Sequence, residues 1–420
     1  MKIAVIGLGY VGLPRSLQFL KEGLTVYGFD TDKSKIKSLK IGKSYLTNVK
    51  KNEIKKYINK KFFVSNSFEN IQKVDAIIIC LPTPLKNKNL PDLSTVKNVY
   101  NKIEIYLKLN QCICLESTTY PGSTEELFLS KLQKKFTIGK DFFLIYSPER
   151  NDPGLKIKFN EIPKIVSGYT EKCKKKGINL YSKIFSKVIP TSNIKTAEMT
   201  KLYENIFRAV NISLVNETRI ILRKLGIDIN EVIESASSKP FGFMPFYPGP
   251  GFGGHCIPVD PFYFVWKAKQ VGINPNFIEL SGKINKSLSQ WILNEMNKFL
   301  KKRNMTLYNK KILVLGISYK KNINDDRESP AYSFINKLLN KFNCKINFSD
   351  PYINKIFVKK GKKKLSFNSL ELNMKNFSGF DYIILITDHD KFNYNIIKRF
   401  KGFIFDTRNK LKKASNIIHI

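Results

Sequence analysis

The chain has 420 residues, enough for roughly two to three domains with buried cores. Its 42% hydrophobic, 12% aromatic and 25% charged residues exclude a long disordered chain, a collagen and a coiled coil. The net charge is +38, but the lysines are scattered along the whole length, so we favour attraction to anionic metabolites over a nucleic-acid partner.

The first part of the chain has the pattern of a doubly wound, mostly parallel sheet. The predicted elements are a strand at Lys2–Ile6, a glycine-rich turn at 7–12, a helix at Leu13–Glu22, and strands at Thr25–Phe29, Ala76–Leu81, Gln111–Glu116 and Phe142–Tyr146. We place this N-terminal Rossmann domain at residues 1–194.

A helical block follows at residues 195–301. Apolar residues at three- and four-residue steps predict one long helix from Lys195 to Leu225, and a second covers Gly282–Lys301. We expect this block to hold the interface of a homodimer or higher homo-oligomer.

Residues 302–420 predict a second α/β domain. Its elements are strands at Lys311–Gly316, Lys345–Phe348, Tyr382–Thr387 and Phe403–Asp406, and a helix at Ser329–Lys341. It has Gly316 but no full glycine fingerprint, so we expect a nucleotide-type ligand or none there. The predicted fold is α/β, with two Rossmann-like doubly wound domains joined by a central helical domain.

The glycine-rich turn has the residues of a dinucleotide site. Gly7 permits the tight turn, Gly9 permits close approach of a pyrophosphate, and Gly12 permits close packing of helix and strand. Asp30, at the end of the second strand, can accept hydrogen bonds from ribose hydroxyls and would repel a 2′-phosphate, which favours NAD over NADP. Arg15 stands where an apolar residue is expected, and either reaches the phosphates or is exposed.

The segment from Tyr247 to Asp260 is rich in glycine and proline and contains Cys256. Cys256 is a nucleophile or a small buried hydrophobic residue. A metal site with His255 is disfavoured, because neither of the other two histidines has a ligand spacing, and we predict no metal.

The six cysteines include no C-x-x-C pair, which predicts a reduced, cytoplasmic protein. Apolar runs fall far short of the roughly 18 residues of a membrane span, so we expect no membrane partner.

Seven segments, in order, resemble the UDP-glucose/GDP-mannose dehydrogenase family. They are GLGYVGLP (7–14), LPTPL (81–85), ESTTYPGSTEE (116–126), SPER (147–150), KLYENIFRAVNISLVNE (201–217), GGHCIPVDP (253–261) and DDRESPA (325–331). Within the family, the run around Cys256 most resembles UDP-N-acetylglucosamine 6-dehydrogenases of bacterial surface-polysaccharide synthesis.

The resemblance implies an NAD-dependent, four-electron oxidation of the C6 hydroxymethyl of a UDP-sugar to a carboxylate. Cys256 would attack the intermediate aldehyde, and the resulting thiohemiacetal would be oxidised to a thioester that is then hydrolysed. Lys201 and Asn205 would steady the oxyanion, Glu149 would be the general base of hydrolysis, and Asp260 with Thr118 would act on water or protons.

The resemblance also implies binding residues. Those for NAD are Gly7, Gly9, Val11, Gly12, Asp30, Lys35, Thr83, Thr118 and Arg327; those for the substrate are Glu149, Arg150, Lys201, Asn205, Tyr247, Gly251 and Gly253. Without the resemblance, Lys201 and Asn205 would be an exposed polar pair, and Glu149 and Asp260 surface carboxylates.

Some residues depart from the family pattern. Val259 stands where UDP-glucose dehydrogenases usually have a lysine, which disfavours UDP-glucose. No residue decides between UDP-GlcNAc and UDP-GalNAc, and Arg15 and Asn151-Asp152 are not the commonest choices. GDP-mannose oxidation, a non-catalytic nucleotide-sugar-binding homologue and a polyanion-binding protein remain alternatives.

Overall fold

The computed structural model describes the chain except residues 47, 48, 87, 88, 152–156, 158 and 378, and the side chain of residue 374. It divides into two compact units. The first comprises Met1–Glu204 and Phe262–Asn274, and the second comprises Asn205–Pro261 and Pro275–Ile420.

The first part of the chain alternates strands and helices as predicted. Its elements are β1 (Lys2–Ile6), α1 (Gly12–Lys21), β2 (Thr25–Phe29), α2 (Lys33–Lys40), α3 (Lys51–Lys55), β3 (Phe62–Ser65), β4 (Ala76–Ile79), β5 (Leu85–Lys86), β6 (Leu90–Pro91), α4 (Ser94–Ile103), β7 (Cys112–Leu115), α5 (Ser123–Leu132), β8 (Phe143–Tyr146), β9 (Lys164–Gly168), α6 (Glu171–Tyr181) and β10 (Val188–Pro190).

The eight-stranded sheet has the order β10-β9-β8-β7-β4-β1-β2-β3. Neighbouring strands are parallel except β8 and β9, which are antiparallel. Along β1, Ile3 and Val5 pack into one hydrophobic core, and Ala4 and Ile6 pack into another. Successive strand residues point to opposite faces, so the sheet is covered on both, as the sequence predicts.

The middle of the chain is helical. Its elements are α7 (Ile194–Leu225), α8 (Ile229–Ser237), α9 (Asp260–Gln270) and α10 (Asn276–Lys301). Among the described helices, none combines the length and the apolar character needed to cross a bilayer.

The last part of the chain forms a second parallel sheet. Its elements are β11 (Lys311–Leu315), α11 (Pro330–Lys341), β12 (Lys345–Ser349), β13 (Lys355–Lys360), β14 (Lys363–Asn368), α12 (Met374–Phe377), β15 (Tyr382–Leu385), α13 (Tyr394–Ile397), β16 (Phe403–Asp406) and β17 (Ile417–His419). The sheet order is β12-β11-β15-β16-β17, and β13 and β14 form a separate antiparallel hairpin. The fold is therefore α/β, with two Rossmann-like sheets and a central helical region.

The sheet geometry explains where the motifs lie. Strands β1, β4, β7 and β8 are parallel to one another, so their carboxyl ends meet at one edge of the sheet. The Gly7 turn and the segments that hold Thr83, Thr118 and Glu149 follow these four ends.

Candidate active site

The turn after β1 brings the three glycines into different surroundings. A Cβ on Gly12 would lie 1.9 Å from the carbonyl oxygen of Gly7. Gly7 has a φ of +91°, and a Cβ there would lie 2.5 Å from the carbonyl oxygen of Cys80. The positions of Gly7 and Gly12 thus require glycine for the fold itself.

Gly9 differs, because no described atom lies within 4 Å of the Cβ that a substitution would add there. The backbone of Gly9 is therefore open to a ligand at the start of α1, where the helix N-terminus favours a phosphate. The three glycines fit the NAD site that the sequence predicts.

Asp30 follows β2 at the same edge, and its side chain is 9% exposed. Its Oδ2 accepts a hydrogen bond from the backbone N–H of Leu8, at 3.0 Å, and lies 3.0 Å from the Lys35 ammonium. The structure thus brings together the predicted acid and the predicted basic residue. Val11, another predicted cofactor contact, is the N-cap residue of α1.

Thr83 and Thr118, two predicted cofactor contacts, are also brought together. The Thr83 hydroxyl donates to the carbonyl of Thr118 at 2.8 Å. The phenol of Tyr263 donates to the carbonyl of Thr83 at 3.0 Å, which ties α9 to this loop.

Glu198 is a buried residue of α7 that sequence reasoning missed. Its carboxylate accepts from the backbone N–H of Thr124 and from the hydroxyls of Ser123 and Thr124, at 2.9, 2.9 and 2.6 Å. Burial raises the pKa of Glu198. Glu198 fixes the start of α5 and with it the loop that carries Thr118. The sequence signal for it is the helix start at Ser123-Thr124, whose unpaired backbone N–H groups need a hydrogen-bond acceptor.

Glu149 is half-buried beside charged side chains, rather than on an open surface. Its Oε2 accepts a hydrogen bond from Arg15 and lies 3.8 Å from the Lys164 ammonium. The backbone N–H of Asn151 donates to its Oε1 at 2.7 Å, whereas Asp152 lies outside the described residues.

Arg15 matches neither of the two interpretations offered for it. The side chain is fully buried, and Glu116 and Glu149 accept from its guanidinium. Arg150 also has protein partners: it donates to Glu204 at 2.8 Å and to the Pro163 carbonyl at 2.8 Å.

Cys256 lies in the turn before α9, and it is the exposed one of the six cysteines, all of which are in the described part of the chain. The backbone N–H groups of Val259 and Asp260 donate to its carbonyl, at 3.0 and 2.7 Å. This position rules out the alternative of a buried hydrophobic residue.

Asp260 and Asn205 meet in the second unit. The Asn205 amide donates to Oδ2 of Asp260 at 2.5 Å, and the two residues are 5% and 3% exposed. Lys201, one turn before Asn205 on α7, is 8% exposed. The alternatives of an exposed polar pair and a surface carboxylate therefore fail for these three residues.

The glycine-rich loop before Cys256 packs against the segment that holds Arg327. The backbone N–H of Gly254 donates to the Arg327 carbonyl at 2.9 Å, and the Arg327 guanidinium pairs with Asp325 at 2.6 Å. A Cβ on Gly253 would lie 2.5 Å from the Glu328 carbonyl oxygen.

The same glycine-rich loop contains His255, Gly251 and Tyr247, whose surroundings differ. Burial, followed by the charge of Arg327, lowers the pKa of His255. Gly251 has a φ of +124°, which favours glycine, and Tyr247 is exposed.

Three family models match successive parts of the chain. They describe the NAD binding, central and UDP binding domains of the UDP-glucose/GDP-mannose dehydrogenase family, at residues 1–187, 195–287 and 313–413.

Individual relatives match over nearly the whole chain. Protein CapL of Staphylococcus aureus is 35% identical, covering 97% of this chain and 95% of its own length. The UDP-N-acetyl-D-glucosamine 6-dehydrogenase of Pseudomonas aeruginosa is 32% identical, covering 100% and 96%. A solved structure of a UDP-D-ManNAc dehydrogenase from Pyrococcus horikoshii has a TM-score of 0.86 at 30% identity, covering 99% and 97%.

These matches confirm the resemblance drawn from the motifs and the NAD-binding prediction. The chain belongs to the UDP-glucose/GDP-mannose dehydrogenase family and is an NAD-dependent nucleotide-sugar oxidoreductase.

Proposed function

We propose that this chain oxidises the C6 hydroxymethyl of a UDP-N-acetylhexosamine, with UDP-GlcNAc the favoured substrate, to the uronic acid. Two NAD are consumed per product, and the product serves as a precursor of a surface polysaccharide. The similar Pseudomonas aeruginosa enzyme, whose name specifies UDP-N-acetyl-D-glucosamine, supports this substrate.

The observation that carries the four-electron chemistry is the exposed thiol of Cys256 at the start of α9, in a turn closed by the buried Asp260. A two-electron alcohol oxidation needs no nucleophile, whereas a nucleophilic thiol allows an aldehyde to be oxidised to the acid level through a covalent thiohemiacetal and thioester. The Asn205 amide holds the Asp260 carboxylate, so this part of the site is preorganised.

The residues then have these roles. Cys256 sulfur forms a bond to the aldehyde carbon, whose oxygen becomes an alkoxide that Lys201 and Asn205 stabilise before it takes up a proton. NAD supplies the hydride acceptor for both oxidations when it is bound. In hydrolysis, Glu149 takes a proton from water, the water oxygen bonds to the thioester carbon, and the carbon–sulfur bond breaks with return of the thiolate.

The remaining residues support these steps. Asp260 and Thr118 position the water and its protons. Arg150, Tyr247, Gly251 and Gly253 contact the substrate, and Arg327 contacts the cofactor.

UDP-ManNAc is a second candidate substrate, because the similar Pyrococcus horikoshii protein is named as a dehydrogenase of that sugar nucleotide. UDP-GalNAc, UDP-glucose and GDP-mannose are further alternatives within the same chemistry. A non-catalytic nucleotide-sugar-binding homologue is the alternative outside it.

The test is NADH formation by the purified protein with NAD and each of these five sugars in turn, with Cys256→Ser in parallel. We expect two NADH per UDP-GlcNAc at exhaustion, and a loss of at least about a thousandfold in turnover for the variant. One NADH per sugar would contradict the four-electron reaction, and binding of NAD without any NADH would favour the non-catalytic homologue.

We also propose a cytoplasmic homodimer with α7 at the interface. Large apolar residues remain exposed on this helix: Tyr203, Phe207, Leu214, Ile221 and Leu225. Light scattering on the purified protein should give twice the mass of one chain, and the mass of a single chain would contradict the dimer.

A further inference from the structure

Arg15 is an unexpected charge inside the first unit. It lies three residues after Gly12 on α1 and is fully buried, although an arginine is seldom fully buried unless it is paired. The rings of Phe159 and Phe185 lie 4.7 and 4.8 Å from its guanidinium carbon. An apolar residue would fit such surroundings, so the presence of an arginine must be explained by the groups that it binds.

Every nitrogen of the guanidinium has a partner. Nε donates to Glu116 at 3.2 Å, and one terminal nitrogen donates to Gln18 at 2.9 Å. The other terminal nitrogen donates to Oε2 of Glu116 at 3.0 Å and to Oε2 of Glu149. Arg15 therefore joins two carboxylates, which the single ammonium of a lysine does less rigidly.

Lys164 completes a group of four charges. Its ammonium lies 3.3 Å from Glu116 and 3.8 Å from Glu149, and it donates to the Pro148 carbonyl at 2.9 Å. Two cations thus face two anions. Although burial opposes it, Arg15 and then Lys164 lower the pKa of Glu116, while burial and Arg15 lower the pKa of Lys164.

The four side chains differ in exposure. Those of Arg15, Glu116 and Lys164 are at most 2% exposed, whereas that of Glu149 is 14% exposed. Of the four charged side chains, only Glu149 is therefore partly exposed, and the other three are enclosed. The other titratable groups around it are Tyr181 on α6, Cys80 after β4 and Cys114 on β7.

We propose that Arg15 is a positioning residue that holds the Glu149 carboxylate in the orientation needed for hydrolysis of the thioester. The inference rests on the proposed function, in which Glu149 is the general base. Without Arg15, two carboxylates would share the ammonium of Lys164. Glu116 lies closer to Lys164 and is fully buried, so the more exposed Glu149 is the one that moves.

Neither oxidation uses Glu149, so loss of Arg15 should slow only the hydrolysis that follows them. NADH from the first turnover should persist, while the acyl group remains on Cys256. Displacement of a catalytic group by about 1 Å costs on the order of a hundredfold in rate.

The test uses three variants of the full chain: Arg15→Lys, Arg15→Leu, and Arg15→Leu combined with Glu116→Gln. The double variant restores charge balance, since Lys164 then faces Glu149 alone, and it is informative if Arg15→Leu does not fold. Arg223→Leu is the matched control, because Arg223 pairs with Glu295 at 2.9 Å in the other unit and contacts no member of this group.

The measurements are single-turnover NADH with UDP-GlcNAc and the mass of the acyl adduct on Cys256 as a function of time. We expect folded Arg15→Leu to form NADH within about twofold of wild type in the first turnover, to accumulate the adduct, and to hydrolyse it about a hundredfold more slowly. The double variant should also accumulate the adduct, but hydrolyse it at a rate between those of Arg15→Leu and wild type, because Lys164 then holds Glu149 alone. Arg15→Lys should recover part of the rate, and Arg223→Leu should accumulate no adduct.

Two failures can be told apart. If wild type forms two NADH per sugar but the folded variants hydrolyse the adduct at the wild-type rate, Arg15 is only structural and the inference is wrong. If wild type itself forms no NADH with any of the sugars, the proposed function is wrong, and the role of Arg15 in hydrolysis with it.

Discussion

The two Rossmann-like sheets each have an aspartate at the end of the strand next to their first strand, but the two carboxylates have different surroundings. Asp30 follows β2; its Oδ2 is bound by the Leu8 backbone and Lys35, its Oδ1 accepts from the backbone N–H of residue 32 at 2.9 Å, and its side chain is 9% exposed. Asp350 follows β12 and is fully enclosed.

The protein itself uses up the hydrogen-bonding capacity of Asp350. Its Oδ2 accepts from the backbone N–H groups of Ile317 and Ser318 at 2.6 and 2.9 Å and lies 3.0 Å from Nε2 of His389. Its Oδ1 accepts from the backbone N–H groups of residues 352 and 353 at 2.8 and 3.0 Å. Asp350 is therefore a structural carboxylate, unlike Asp30.

The glycines show the same contrast. Where the first sheet has Gly9, with open space beside it, the second has the buried Ser318, whose hydroxyl donates to the Ile323 carbonyl at 2.8 Å. A Cβ on Gly316 would lie 2.3 Å from the Thr387 carbonyl oxygen, so this glycine serves packing. A glycine and an acid at a sheet edge thus do not by themselves make a dinucleotide site.

The largest expected effect is that of Gly12→Ala. The added Cβ meets backbone rather than a movable side chain, so we expect a loss of about 3 kcal/mol or more in the free energy of unfolding. NAD affinity should fall by roughly 100-fold, equivalent to about 2.7 kcal/mol. Urea unfolding and calorimetric NAD titration measure the two effects.

Gly9→Ala is the matched control for this substitution. The free energy of unfolding should change by less than about 0.5 kcal/mol, because there is open space around the added Cβ, while NAD affinity should still fall. Unchanged NAD affinity in this variant would show that the turn does not hold the cofactor.

Asp350→Asn should destabilise the fold without affecting the cofactor. Asparagine has one acceptor oxygen instead of two, so buried backbone N–H groups that Asp350 binds would lose their acceptor, which costs about 3 kcal/mol. We expect NAD affinity within about twofold of wild type. A large loss of NAD affinity with intact stability would overturn the contrast between the two sheets.

Asp30→Ala should weaken cofactor binding rather than destabilise the fold. NAD affinity should fall about tenfold, or about 1.4 kcal/mol, through loss of the ribose hydrogen bonds. Discrimination against NADP should weaken, since a carboxylate no longer faces the 2′-phosphate. Titrations with both cofactors measure this, and an unchanged preference would contradict the assigned role.

The smallest effect is on the acid dependence of stability. Although burial opposes it, His389 lowers the pKa of Asp350. Its ionised form therefore stabilises the fold above the unfolded pKa of about 3.9, and this contribution is lost as the pH falls through the lower folded pKa. The free energy of unfolding should fall less steeply from pH 5 to pH 3 in Asp350→Asn than in wild type; equal slopes would contradict this.

The sequence predicted the local features of the first sheet well. The bounds of β1 and β2 agree with the predicted strands, because short apolar runs there end at glycine or aspartate. The long helix was predicted within one residue at its start, since its apolar periodicity is sustained. The hairpin β13–β14 was missed, because its polar, lysine-rich residues lack the apolar run of a buried strand.

Long-range contacts could not be predicted from the sequence. Arg15 is 101 residues from Glu116 and 134 from Glu149, so no local pattern reveals that they meet. Glu198 likewise meets the start of α5 from a distant helix. The motifs identified Glu149 and Asp260, but the charged side chains around Glu149 come from α1, from the residue after β7 and from β9, which only the fold brings together.

The most direct test of the contrast between the two sheets is the number of NAD molecules that the full chain binds, measured by equilibrium titration of wild type and Asp350→Asn. We predict one NAD per chain in both proteins. Among the described residues of the two sheets, only those of the first provide an open glycine turn and an acid that is not fully enclosed. Two NAD per chain in wild type, falling to one in Asp350→Asn, would contradict this prediction.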